Sequence, residues 1–153
     1  MFLLLLAAAS LPPSLLCTVE TVQSSWSSEP IQGIRLLENQ TFRVELGANA
    51  SVTPRYVIES RLTSLAEETS APSASMEPDG TFSYLWNFSA PLGPIALPNQ
   101  QERPLTVQVE GDLKVHKNLN FVLENSTVVN ADGVNKPING LNETAQGTCH
   151  EQR

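Results

Sequence analysis

Residues 81–88 read Thr-Phe-Ser-Tyr-Leu-Trp-Asn-Phe, with Phe82, Tyr84, Trp86 and Phe88 at every second position. Successive side chains of a strand point to opposite faces, so this period of two predicts a strand that buries an aromatic face. Burying a large apolar side chain contributes about 1.5–3 kcal/mol, which makes this strand the expected centre of the core. Asn87, in the pattern Asn-Phe-Ser, falls on the opposite face, where an attached sugar would reach solvent. Pro78-Asp79-Gly80 just upstream is a turn signal, because Pro presets φ and Gly accepts positive φ.

The same alternation recurs on both sides. Downstream, Leu105, Val107 and Val109 alternate, and Leu113 and Val115 continue the pattern after Gly111-Asp112. Gly-Asp between two alternating runs predicts a β-hairpin turn. Leu119, Phe121 and Leu123 form another set, with a turn expected at Asn125. Upstream, Thr41 to Leu46 puts Phe42, Val44 and Leu46 on one face and Arg43 and Glu45 on the other. Weaker strands are expected at Ile31 to Leu37 and Ser51 to Ile58. Residues 56–68 fit helical spacing as well as strand followed by loop, and periodicity does not choose between them.

The remaining segments lack a pattern. Residues 66–79 are rich in Ser, Pro and Glu and read as a loop. Pro91 to Pro104 contains four prolines and reads as a long connection. Thr18 to Glu29 is Ser-rich and reads as a linker, in which the isolated Trp26 would anchor the arm on the body or contact a partner. From 130 to 153 the chain is polar and glycine-bearing, and a mobile tail is expected. The domain then spans 30–129 and holds about six strands. The expected class is all-β: an antiparallel β-sandwich, Ig-like in architecture only, with long loops and a mobile C-terminal tail.

Residues 83–88, Ser-Tyr-Leu-Trp-Asn-Phe, resemble the Tyr-x-Trp-x-Phe strand of polycystic-kidney-disease-type sandwich domains. The acidic and glycine turn of that family is replaced here by Ser89-Ala90-Pro91, and the likeness carries no function. A true immunoglobulin framework is absent, since no Cys…Trp…Cys spacing exists.

The amino end supplies an address. Phe2 to Ala9 is an uncharged apolar run of signal-peptide length, shorter than the roughly 20 residues a bilayer span needs. The expected leader is 1–17, cleaved after Cys17, with Leu15 at position −3 and Thr18 as the new first residue. Leu16 is too bulky for bacterial lipid attachment at Cys17. Five asparagines stand in the acceptor pattern Asn-x-Ser/Thr: Asn39, Asn49, Asn87, Asn125 and Asn142. Chance placement of 11 Asn and 26 Ser plus Thr in 153 residues gives about two such patterns, so five is an excess. Leader and sequons together point to a secreted or lumenal glycoprotein. Anchoring to a membrane through a longer form is the alternative.

Composition narrows the partners. With 9 basic against 16 acidic residues the net charge is −7, which disfavours nucleic acid and anionic lipid. After the leader no apolar run is long enough for a membrane span. Were Cys17 lost with the leader, Cys149 would be a lone thiol in an oxidising compartment. That predicts an intermolecular disulfide and a covalent dimer, a reactive free thiol, or a partner cysteine in a longer form of which this chain is a truncated product.

Catalytic signals are thin. His116 reads as a solvated strand residue, and His150 lies beside Cys149 in the expected tail. No phosphate-binding loop, nucleophile elbow or metal motif occurs, so no cofactor and no metal are expected. Carboxylate pairs drawn from Glu45, Glu59, Glu110 or Asp112 each read as solvent-facing strand or turn residues. The expected function is a non-enzymatic interaction domain with a protein partner, and the ectodomain or a truncated form of a larger membrane glycoprotein is the wider setting it fits. A secreted hydrolase or carbohydrate-binding protein is the competing reading. It would need a pocket with two convergent carboxylates, or an exposed platform of rings.

Overall fold

The computed structural model describes residues 10–26, 36–53, 67–95, 103–131, 133 and 139–152. The described residues are all-β. Eight strands run in chain order: β1 (Ser14–Trp26), β2 (Thr41–Glu45), β3 (Ser51–Thr53), β4 (Glu67–Met76), β5 (Phe82–Ile95), β6 (Arg103–Val115), β7 (Asn120–Ala131) and β8 (Asn139–Glu151). They form one antiparallel sheet in the order β3-β2-β1-β8-β7-β6-β5-β4. Each strand pairs with its successor except β3 with β4, and β8 returns to pair with β1.

The expected two-sheet sandwich is thus replaced, among the described residues, by a single sheet that curls over its own apolar face. Phe42 on β2 and Phe121 on β7 measure this curl. They stand three strands apart in the sheet order, roughly 14 Å across a flat sheet. Their ring centroids are nevertheless 5.0 Å apart, edge to face at 80°. The enclosed face is the core: Phe82, Tyr84, Trp86 and Phe88 of β5 are all buried, as are Leu105, Val107, Val109, Leu113 and Val115 of β6.

Five segments differ from their sequence reading. Gly111-Asp112 is the middle of β6, not a turn. Gly111 pairs with Trp86, and the indole lies over the glycine where a Cβ would overlap the ring. The glycine therefore serves a close approach within a sheet. The reversal comes later, at His116–Leu119, where Leu119 adopts φ 67° and its N–H donates to His116 O at 2.9 Å. Residues 67–76 form the edge strand β4. An edge tolerates Pro72, and the register shifts there twice, between Glu68 and Ser70 and between Ser70 and Ser73.

The expected linker and tail supply two adjacent interior strands, third and fourth in the order. Thr18 to Trp26 belongs to β1, and residues 139–151 form β8, with residues 130–131 ending β7. Leu141, Glu143, Ala145, Gly147 and Cys149 share the core face of β8, so its core face carries little apolar bulk. Gly147 lets β1 come close, for a Cβ there would overlap the Thr18 carbonyl oxygen. The long connection expected over 91–104 shrinks: β5 runs to Ile95 and β6 starts at Arg103. The expected strand at 31–37 lies largely outside the described residues. So do most of the ambiguous 56–68 segment and the end of the 51–58 strand.

Candidate functional site

Cys17 and Cys149 stand directly opposite each other on β1 and β8 and form an intrachain disulfide. No free cysteine exists among the described residues, so the expected intermolecular bond through Cys149 gives way to a clasp between the first strand and the last. The sequence reading missed the pair because it assigned Cys17 to the leader. Cleavage after Cys17 would remove four residues of β1, Ser14 to Cys17, and one half of the clasp.

The five sequons separate by face. Asn39 lies exposed in the turn before β2, at φ 66°, a conformation asparagine tolerates better than most residues. Asn49 is exposed between β2 and β3. Asn142 is exposed on β8, and Asn87 is half-buried on the solvent face of β5. Asn125 is different. It is only 5% exposed on the core face of β7, at the centre of a strand rather than at the expected turn. Its Nδ2 has no hydrogen-bond partner, and neither does the Oγ1 of Thr127, the third residue of the same sequon. A sugar on Asn125 has no room in this fold.

Next to Asn125 across the ladder is Glu143, 3% exposed. Both its carboxylate oxygens accept the Leu36 N–H, at 3.1 and 2.9 Å. Charge-assisted bonds of this kind offset the cost of burying a carboxylate. Glu143 ties the chain entering β2 to the core face.

Among the described residues a groove of about 700 Å³ crosses β5 to β8, with Ala71 and Ser73 of β4 beside it. Each of the strands β5 to β8 gives it three consecutive residues, centred on Trp86, Gly111, Asn125 and Glu143. The central residues turn their side chains to the core, and the flanking ones face solvent. The groove is therefore on the solvent face, floored by backbone. Its walls are two rows in register. Asn87, Glu110, Ser126 and Asn142 form one; Leu85, Asp112, Glu124 and Thr144 form the other. Asp112 and Glu124 are opposed directly, a like-charge pair that sheets ordinarily avoid. Asp112 Oδ1 is shielded from solvent and has no partner. Leu85 is 46% exposed beside it. Lys114, one step along β6, turns to Glu77 at 3.3 Å. This bond, with the nearby carboxylates Asp112 and Glu124, raises its pKa above the ordinary 10.5.

The histidines lie apart from this groove. His116 begins the β6–β7 turn, with Nδ1 3.3 Å from the hydroxyl of Thr81. Asp79 accepts the Thr81 N–H at 2.9 Å, which is the first reason its carboxyl is held below the ordinary 3.8. These contacts join two hairpin tips at one end of the sheet. His150 is exposed on β8. Among the described residues no group of three or more His, Cys, Asp or Glu converges to hold a metal ion, and no helix is long and apolar enough to cross a membrane.

No protein-family model, no curated protein and no solved structure matches this chain.

Proposed function

We propose that the chain is a secreted or lumenal N-glycosylated domain that works by contact with a protein partner rather than by catalysis. The observation that supports this most is the division of the sequons: Asn39, Asn49, Asn87 and Asn142 face away from the core. The clasp between β1 and β8 belongs to the same reading, because disulfides persist in oxidising compartments. In this reading the leader ends before Ser14, so that Cys17 stays with the mature chain. A larger membrane glycoprotein carrying this domain as its ectodomain, or a truncated form of one, is compatible with it.

The groove lends weight to the competitor, a secreted hydrolase or carbohydrate-binding protein. Glycoside hydrolysis needs one carboxyl kept protonated by apolar surroundings beside a second that is ionised. Glu110 and Glu124 are both exposed, which favours binding over hydrolysis.

Expression in a secretory host tests the proposal. Glycosidase treatment of the secreted protein is expected to collapse a heavy band to the mass of the bare chain. Recovery from the cytosol with Met1 in place and all asparagines unmodified would overturn it.

A further inference from the structure

We propose that the groove across β5–β8 is the seat of the chain's own sugars: those on Asn87 and Asn142 lie down across its carboxylates instead of standing out in solvent. The inference rests on the glycoprotein reading above and adds where two of the sugars go.

Both asparagines belong to one wall of the groove. Glu110 and Ser126 stand between them in register, so they are roughly 14 Å apart, three strand spacings. A sugar on either has only to bend over the wall to enter. The volume, about 700 Å³, lies within the roughly 300–1,000 Å³ of small-ligand clefts.

The opposite wall supplies matching chemistry. Carboxylates accept hydrogen bonds, while sugar hydroxyls and the acetamido N–H of N-acetylglucosamine donate them. The exposed carboxylate of Glu124 is open to a donor arriving along the groove. Leu85 gives an acetyl methyl or the C–H face of a sugar ring an apolar contact. Hydroxyls bridging Asp112 and Glu124 would also relieve the repulsion that their register imposes. Asn39 and Asn49 do not line this groove, which makes them internal controls.

The test is site-resolved deglycosylation of the folded, secreted protein with a peptide-N-glycosidase and no denaturant, followed by mass spectrometry. Release at Asn87 and Asn142 is expected to be about tenfold slower than at Asn39 and Asn49, and the double variant Asp112→Ser, Glu124→Ser to narrow that gap to about twofold. Equal release at all four sites overturns the proposal, as does slow release that the double variant leaves unchanged. Should that variant not be secreted, carbon-13-labelled sugars on the wild-type protein decide. N-acetyl methyl resonances with cross-peaks to Leu85 support the proposal, and free-glycan shifts overturn it. A basic peptide that perturbs Leu85 and Asp112 while the sugars keep free-glycan shifts gives the groove to a protein partner and also overturns it. A secreted chain bare at all four sites would instead defeat the glycoprotein reading itself.

Discussion

Asn125 and Thr127 belong to one sequon, yet both turn toward the core of β7, on the face that also holds Phe121 and Leu123. A glycan at Asn125 and the packing of β7 exclude each other. Glycopeptide mapping of the secreted protein is expected to find Asn125 bare, whatever the occupancy of the other four sequons. The unpaired Nδ2 of Asn125 also costs stability, since a buried donor without a partner forfeits about 1–3 kcal/mol. Asn125→Leu keeps the number and branching of the heavy atoms and removes the amide. It is expected to raise the free energy of unfolding by about 1 kcal/mol, read from the denaturation midpoint. A glycan found on Asn125 of folded protein, or a destabilised Asn125→Leu, would place this side chain outside the core. The sequence marks Asn125 as a surface residue only because a sequon carries no information about which face of a strand it occupies.

Legibility differs among the elements for physical reasons. β5 is plain because four large rings sit on one side of it. β8 is hidden because the core face it offers is Leu, Glu, Ala, Gly and Cys, whose burial comes from the strands on either side. β1 is hidden for two reasons. Its apolar start resembles a leader, and a bulge between Val19 and Thr21 breaks the alternation before polar residues take over. β4 is hidden by Pro72, which reads as a strand breaker in sequence and which an edge strand tolerates. The groove is half-legible: Glu110 and Asp112 stand out in the sequence as carboxylates, but their union with Glu124, Asn87 and Asn142 depends on the register of four strands. At this scale pH has a defined effect. Asp79 is held below its ordinary pKa of 3.8 by the Thr81 N–H and hydroxyl, with His116 and Lys117 adding attraction. A carboxyl with a depressed folded pKa contributes stability that is present above 3.8 and is lost as pH falls through the folded value. Amide exchange at Gly80 and Thr81 should therefore accelerate below that range before β5 responds. Uniform exchange along β5 would deny Asp79 this role.

For the whole molecule, the order of the sheet sets the route to the native state. β1 is made first but sits between β2 and β8, so half of its pairing waits for the last strand. Non-local pairing of this kind slows folding and exposes strand edges meanwhile. The clasp offsets the wait. It closes a loop with a sequence separation of 132 residues, and constraining the unfolded chain to that extent contributes about 5 kcal/mol in the chain-entropy account. A domain typically holds only about 5–15 kcal/mol in total. The fold and the proposed compartment and leader boundary thus meet at one bond.

That bond is the most direct test. Proteolytic mapping of the secreted protein without reduction is expected to yield a peptide containing Cys17 joined to a peptide containing Cys149, from a molecule of monomer mass. A mature chain that begins at Thr18, with Cys149 free or bridged to a second copy, would contradict the account.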